Sequence, residues 1–417
     1  MKWKILGRDF TLLWLGQVVS QLGDGAGLIG LMWWVQGGER PALALGLIAM
    51  VRTLVGAAFS PFAGAMVDRY DKRRILISMD LVRGAIYGTL AWLAFSGRNN
   101  LPAILCLVGA NAAASQLFNP AVAAAVPLLV SQAELPQANS LTRVTAHAVG
   151  IISYGLGGIL VAVIGVPALL AVDAISFLIS ACAEAFVVIP SASASTAVRA
   201  KLAAGVSEGL AYVRRHRVLS SIMLVAACTN FFGAPVIVLL PKFVQEIQGA
   251  SPELFGALLS AYMTGSLIGT LTVMSGKATT RQTGIILHAF AIEAALLAVF
   301  AVLPSGMTTL RIALFLISGF FNSLANIHLS TALQKATAPE HRGKVFGLLN
   351  AISSSLQPVS QGLAGVLGDI IPAATIFLIS GAANMVGGEL YAATPGIREF
   401  LASSAERSAT ASQAATD

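Results

Sequence analysis

Charge is what this chain has least of. Of its 417 residues only 11% are Asp, Glu, Lys or Arg, and just 19 are acids, whereas soluble domains carry roughly 25% charged residues. That scarcity excludes a water-soluble fold. The three cysteines, Cys106, Cys182 and Cys228, stand singly inside apolar stretches, which excludes a disulfide framework or a CxxC metal site. No GxxxxGK[ST] loop and no HExxH pair occurs, and the five histidines are dispersed. Neither an ATP-driven motor nor a zinc hydrolase is written here, so the chain is not read as an enzyme, and no cofactor or metal is expected.

What is abundant is apolar residue: 56% of the chain, together with 40 glycines. A bilayer-crossing helix consumes about 20 apolar residues. A window of that length places twelve such helices, near 10–36, 42–67, 73–96, 101–129, 139–164, 167–190, 218–245, 253–275, 282–303, 309–334, 344–369 and 372–393. The expectation is an all-α integral membrane protein. With the N-terminus on the cytoplasmic side, 20 of the 26 bases fall in cytoplasmic segments. The positive-inside rule therefore puts both termini in the cytoplasm, with the protein multi-pass in a cytoplasmic (inner) membrane. The net charge of +7 follows from this topology, and with no soluble basic domain to carry it, nucleic acid is not a partner.

The longest polar connection divides the chain into an N-terminal six-helix half (1–190), a cytoplasmic linker (191–217) and a C-terminal six-helix half (218–393). A tail (394–417) rich in Ala, Ser and Thr follows, expected to be disordered at its end. A weak repeat supports the halves. Pro136 to Ser140 leads into a helix with Tyr154, Gly157 and Gly158; about 204 residues later Pro339 to Gly347 leads into one with Pro358, Gln361 and Gly362. Duplicated halves of this kind place a substrate site near the midplane.

At the end of the second span stand Gly64, Asp68, Arg69, Asp71, Lys72, Arg73 and Arg74. This run resembles the G-x-x-x-D-R-x-G-R-R signature of the major facilitator superfamily. The stretch Pro61 to Arg83, Ala138-Asn139-Ser140, Asp173 with Ser176-Phe177, and Arg342-Gly343-Lys344 are similar to the branch with macrolide-efflux proteins and the enterobactin exporter. The resemblance implies the major facilitator fold and a secondary exporter working by alternating access, normally powered by proton entry. Two departures stand out: Asp71 replaces the signature's second glycine, and Ser153 and Tyr154 replace the Gly-Pro of the helix 5 drug-antiporter motif.

Single residues refine this expectation. Gly64 permits close helix approach, and Asp68, Arg69 and Arg73 beside it read as a conformational latch at the cytoplasmic surface, the plain alternative being a solvated loop. A charge at the bilayer midplane costs at least roughly 2.5 kcal/mol, so the acids within spans need a reason. Asp24, between Gly23 and Gly25, is the leading proton-coupling candidate, with Glu293 and Asp173 after it; Arg52 and Arg83 are candidate counter-charges. Burial favours the neutral acid and those guanidiniums favour the anion, so coupling and a structural ion pair both remain open for Asp24. Asp80 and Arg83, three apart, read as an internal pair; Glu184 and Glu389, near span ends, read as reaching the interface. Gln21, Asn111, Asn230, Asn322, Asn326, His328 and Gln357 are cavity candidates, each with an alternative as interhelical glue.

The expected protein is thus a monomeric exporter of a small amphiphilic molecule (drug, macrolide or siderophore-like) by proton antiport, its partners being that substrate, protons and the lipid bilayer. Lipid or lysophospholipid transport, nutrient transport by the same fold, and a non-transporting scaffold or sensor are the alternatives.

Overall fold

The computed structural model describes residues 6–190, 211–249, 251–275, 283–338 and 341–393. Most of the expected linker (through residue 210) and all of the tail 394–417 lie outside the described residues.

Each expected span has a helix: α1 (Arg8–Val35), α2 (Pro41–Arg69), α3 (Lys72–Phe95), α4 (Leu101–Leu129), α5 and α6, α7 (Arg217–Gln248), α8 (Pro252–Met274), α9 (Thr283–Val302), α10 (Thr308–Ala336), α11 (Arg342–Gly368) and α12 (Ala373–Ala393). Helices α5 (135–164) and α6 (166–184) form one run, Leu135–Glu184, broken at Gly165, whose φ of 77° no other residue type adopts cheaply. Pro167 follows and cannot rejoin the hydrogen-bond ladder. Seven described helical runs, the broken one among them, are long and apolar enough to cross a membrane.

Local chemistry sets the helix ends. Pro occupies the first turn of α2, α4 and α5, where a missing N–H costs nothing. Asn100 accepts from the Ala103 N–H at 3.1 Å. Asp71, the departure from the signature's glycine, caps α3 by accepting from the Arg74 N–H at 2.8 Å.

The described residues form two compact units, one drawn from 6–190, 238–249, 251–260 and 361–370, the other from 211–237, 261–275, 283–338, 341–360 and 371–393. In the first, α1 lies against α6 along a glycine seam. A Cβ at Gly16 would meet Ser180 and Ala183 at 3.3 Å, one at Gly23 would come within 2.6 Å of Asp173 Oδ1, and one at Gly27 within 2.9 Å of Asp173 Cγ. Three missing side chains let the polar edge of α6 lie flush on the α1 backbone. The same unit packs Gly158 against the α8 start at Pro252 and Glu253, and Gly46 against Gly365 of α11. In the second unit α8 and α10 cross at Gly265 and Gly319, each facing a backbone carbonyl of the other helix. Phe300, Phe315 and Phe377 stack beside Tyr262.

Candidate functional site

The first unit contains a cavity of about 440 Å³ walled by α1 to α5. Gln17, Gln21 and Asp24 face it from α1, Arg52 from α2, Arg83 from α3, Asn119 from α4, and Asn139 and Arg143 from α5. Asp24 projects from between two glycines, one turn beyond Gln21 and Ser20 on the same cavity wall. Its Oδ2 lies 3.5 Å from Arg83 Nη2 and its Oδ1 accepts from the Tyr87 hydroxyl at 3.3 Å. Arg83 also donates through Nη1 to Asp80 Oδ1 at 3.2 Å, closing the expected internal pair. The guanidinium carbon sits 4.0 Å from the Phe177 ring centroid and 5.2 Å from that of Phe118, a sandwich that holds the cation between two carboxyls. Asp24 keeps 30% of its side chain exposed while Asp80 keeps none. One carboxyl therefore meets the cavity and the other does not.

Of the two counter-charge candidates, Arg83 holds Asp24. Arg52 lines the same cavity and makes no ion pair among the described residues. Asp173 lies behind α1, buried at the seam, its Oδ1 3.2 Å from the Ser176 hydroxyl. Glu184 is 1% exposed and does not reach the interface: α6 turns it inward toward α3, because the lipid-facing side of α6 is held by Val172, Ile175 and Ile179. Glu389, by contrast, is half exposed, 2.9 Å from His288 Nδ1.

In the second unit Glu293 is held by Asn322, whose Nδ2 donates to both carboxyl oxygens at 3.0 and 3.1 Å. Asn326 donates in turn to Asn322 Oδ1 at 3.0 Å. Three of the candidates thus form one hydrogen-bonded string across α9 and α10. Asn230 instead turns back on its own helix, donating to the Ala226 carbonyl; Asn111 carries a buried Oδ1 that accepts no hydrogen bond from a described residue. His328 sits on α10 and Gln357, half-buried, on α11.

In the signature loop no described residue comes within 4 Å of where a Cβ at Gly64 would sit, and Asp68 and Arg69 are exposed. Arg73 ties the start of α3 to the end of α6, donating to the carbonyls of Glu184 and Ala185. The opposite end of α2 is engaged, through a residue that sequence reading missed. Asp369, just past α11, accepts from the N–H groups of Ala42 and Leu43 at 2.9 and 3.2 Å and pairs with Arg40 at 3.5 Å. A carboxylate at a helix N-terminus meets both its free N–H groups and its dipole. Lys242 caps Gly368 beside it, and Thr53 donates to Gln361 at 3.0 Å.

The sequence profile of the Major Facilitator Superfamily matches residues 13–361. The chain belongs to that superfamily. It is a multi-pass membrane transporter, a family of carriers and not of enzymes. Macrolide efflux protein A of Streptococcus pyogenes is 23% identical over 380 residues, covering 91% of this chain and 93% of that protein. Multidrug efflux pump Tap of Mycolicibacterium fortuitum is 27% identical over 405 residues, covering 93% and 96%. Among solved structures, a bacterial homologue of the iron transporter ferroportin in an inward-facing state superposes with a TM-score of 0.73 at 15% identity, covering 94% of this chain and 100% of that one, which shows a shared major facilitator fold.

Proposed function

We propose that this superfamily member exports a small amphiphilic organic molecule, drug-, macrolide- or siderophore-like, across a bacterial cytoplasmic membrane while protons enter. In this reading the twelve helices all span, in six-helix halves 1–190 and 218–393, both termini are cytoplasmic, and the monomer is the working unit. The observation that carries it is the Asp24–Arg83–Tyr87 constellation on the wall of a solvent-sized cavity. An acid that is half of an ion pair and also open to cavity water can bind and release a proton as its partner is shared with Asp80. Glu293 with Asn322 is a second candidate in the other unit. Relatives named as macrolide and multidrug efflux proteins support the cargo class.

Alternating access requires contacts that are made in one state and broken in the other. The Asp369 contact with the start of α2 is a candidate for such a contact. Replacing Asp369 with Ala strips the acceptor from two N–H groups, worth about 1.4 kcal/mol. Hydrogen exchange at Ala42 and Leu43 is expected to accelerate roughly tenfold; unchanged protection would remove the Asp369 contact from the scheme.

The reading is tested in proteoliposomes enclosing a pH probe, challenged with macrolides, cationic dyes, catecholate siderophores and lysolipids. Substrate-dependent proton movement is expected with at least one class, and its absence with all of them rejects antiport. A lysolipid cargo is the second reading, favoured by an apolar cavity of about 320 Å³ among Leu156, Leu160, Val172 and Ile175, three of which are exposed on the lipid-facing side.

A further inference from the structure

The cavity beside Asp24 is unbalanced in charge, and the imbalance is divided between its walls. Among its described lining residues are three guanidiniums, Arg52, Arg83 and Arg143, and one carboxyl, Asp24. Arg83 is committed, with Asp24 at 3.5 Å and Asp80 at 3.2 Å. Arg52 and Arg143 make no hydrogen bond or ion pair with a described residue. Two carboxyls therefore share one cation on α3, while the cations on α2 and α5 face the cavity with no described anion of their own.

Position along the helices sharpens this. Asp24 precedes the end of α1 at Val35 by as many residues as Arg52 follows the start of α2 at Pro41. Both lie about 16 Å from the turn that joins these helices, deep within spans where a charge needs a partner. They stand on walls of one cavity and do not pair with each other. Arg143 lines the cavity from two turns into α5, one turn beyond Asn139. Helix α4 supplies an apolar wall through Phe118, Val122 and Val126, each one turn from the next. The complement of such a cavity is a molecule with an apolar body and a head that carries both charges.

We propose that the cargo has a zwitterionic head group, its carboxylate or phosphate held by Arg52 and its cationic nitrogen by Asp24, with the apolar remainder along α4. The inference rests on the antiport reading and names the charge of the cargo in the same site. A guanidinium donates two parallel N–H bonds to a carboxylate or phosphate, which suits Arg52 to the acid group. The cationic nitrogen supplies the positive charge that Asp24, Arg83 and Asp80 lack when both acids are ionised. A proton supplies the same charge, so proton and cargo exclude each other at Asp24, and such exclusion is the negative coupling that exchange requires. A cargo with an acid group alone would repel the Asp24 carboxylate and travel together with a proton. One with a cation alone would leave Arg52 unpaired at membrane depth.

The test titrates the full chain, in neutral maltoside micelles where no membrane charge sorts the ligands, with dyes of one xanthene skeleton read by fluorescence anisotropy. A rhodamine with a free carboxyl is a zwitterion, its methyl ester a cation, and fluorescein an anion. The zwitterion is expected to bind at least roughly tenfold tighter than either relative. Arg52→Gln is expected to erase its advantage over the ester, with the ester itself bound as before, and Arg52→Lys to keep part of that advantage. Asp24→Asn is expected to erase the advantage over fluorescein. Competition with lysophosphatidylethanolamine and with phenylalanine then tells a lipid head group from a soluble one. Equal binding of zwitterion and ester, no binding of the zwitterion, or an advantage that survives Arg52→Gln overturns the inference and leaves antiport standing. Loss of both rhodamines in Arg52→Gln gives Arg52 a structural role and also overturns it. Binding needs no gradient, so a measured preference for the zwitterion stands even where proteoliposomes show no proton movement, and antiport alone then falls.

Discussion

Vesicles carrying Asp24→Asn are expected to show no substrate-driven proton movement above that of empty vesicles, while yield and monodispersity of the purified variant match the wild type. Asparagine has the same shape and retains an oxygen for the Tyr87 hydroxyl, which donates to Asp24 Oδ1. Arg83 loses one partner but keeps Asp80, 3.2 Å away, so no buried charge is orphaned and the fold survives. What disappears is the one titratable group of the constellation that meets the cavity. The guanidinium then stays with Asp80 throughout the cycle, and linkage between proton and substrate vanishes. Downhill substrate movement is expected to persist. Normal proton coupling in Asp24→Asn would transfer the coupling role elsewhere, with Glu293 and its Asn322 clamp next in line.

Gly265→Val is expected to abolish recovery of folded protein, the largest stability effect of any single change considered. A Cβ at position 265 would overlap the Leu316 carbonyl oxygen and lie 2.9 Å from the Phe320 nitrogen; one at Gly319 would meet Tyr262 in the same way. Both obstacles are backbone and cannot rotate aside, so α8 and α10 must separate. Overpacking of this kind costs upwards of about 3 kcal/mol, and separation also pulls Tyr262 from Phe315. Gly150→Ala is the control: no described residue comes within 4 Å of a Cβ there, and removing a helical glycine stabilises by about 1 kcal/mol. Fluorescence-detected size-exclusion profiles of the two variants separate crowding at the crossing from a general intolerance of larger residues.

The helices were legible because hydrophobic length is a strong signal. Even the break between α5 and α6 lay in view, at Gly165 and Pro167. Asp24 was legible for the opposite reason, as a charge where none is cheap. Its partner was not, since Arg52 and Arg83 lie at similar depth and helices apolar all round give no hint of which way each is rotated. Only packing showed Arg83 facing Asp24 between two phenylalanines. Glu184 was misplaced for the same reason: a span-end acid reaches water unless its helix face is turned inward. Asp369 left no trace, because a turn residue capping a helix more than 300 positions away has no periodicity to betray it. The signature loop was legible as a motif, but whether Gly64 and Asp68 are engaged is a property of the conformational state.

The glycine seam between α1 and α6 has a consequence for how the protein is made. Helix α6 carries Asp173 and Glu184, and on insertion scales each acid at membrane depth adds up to about 3 kcal/mol to the cost of entering lipid alone. Early in synthesis nothing downstream can offset that. The surface that accepts Asp173, the bare backbone of α1 at Gly23 and Gly27, emerges from the ribosome first. The cost of Asp173 in lipid is therefore offset only where α6 meets α1, and pairing of these two helices favours insertion of α6 with α1 beside it.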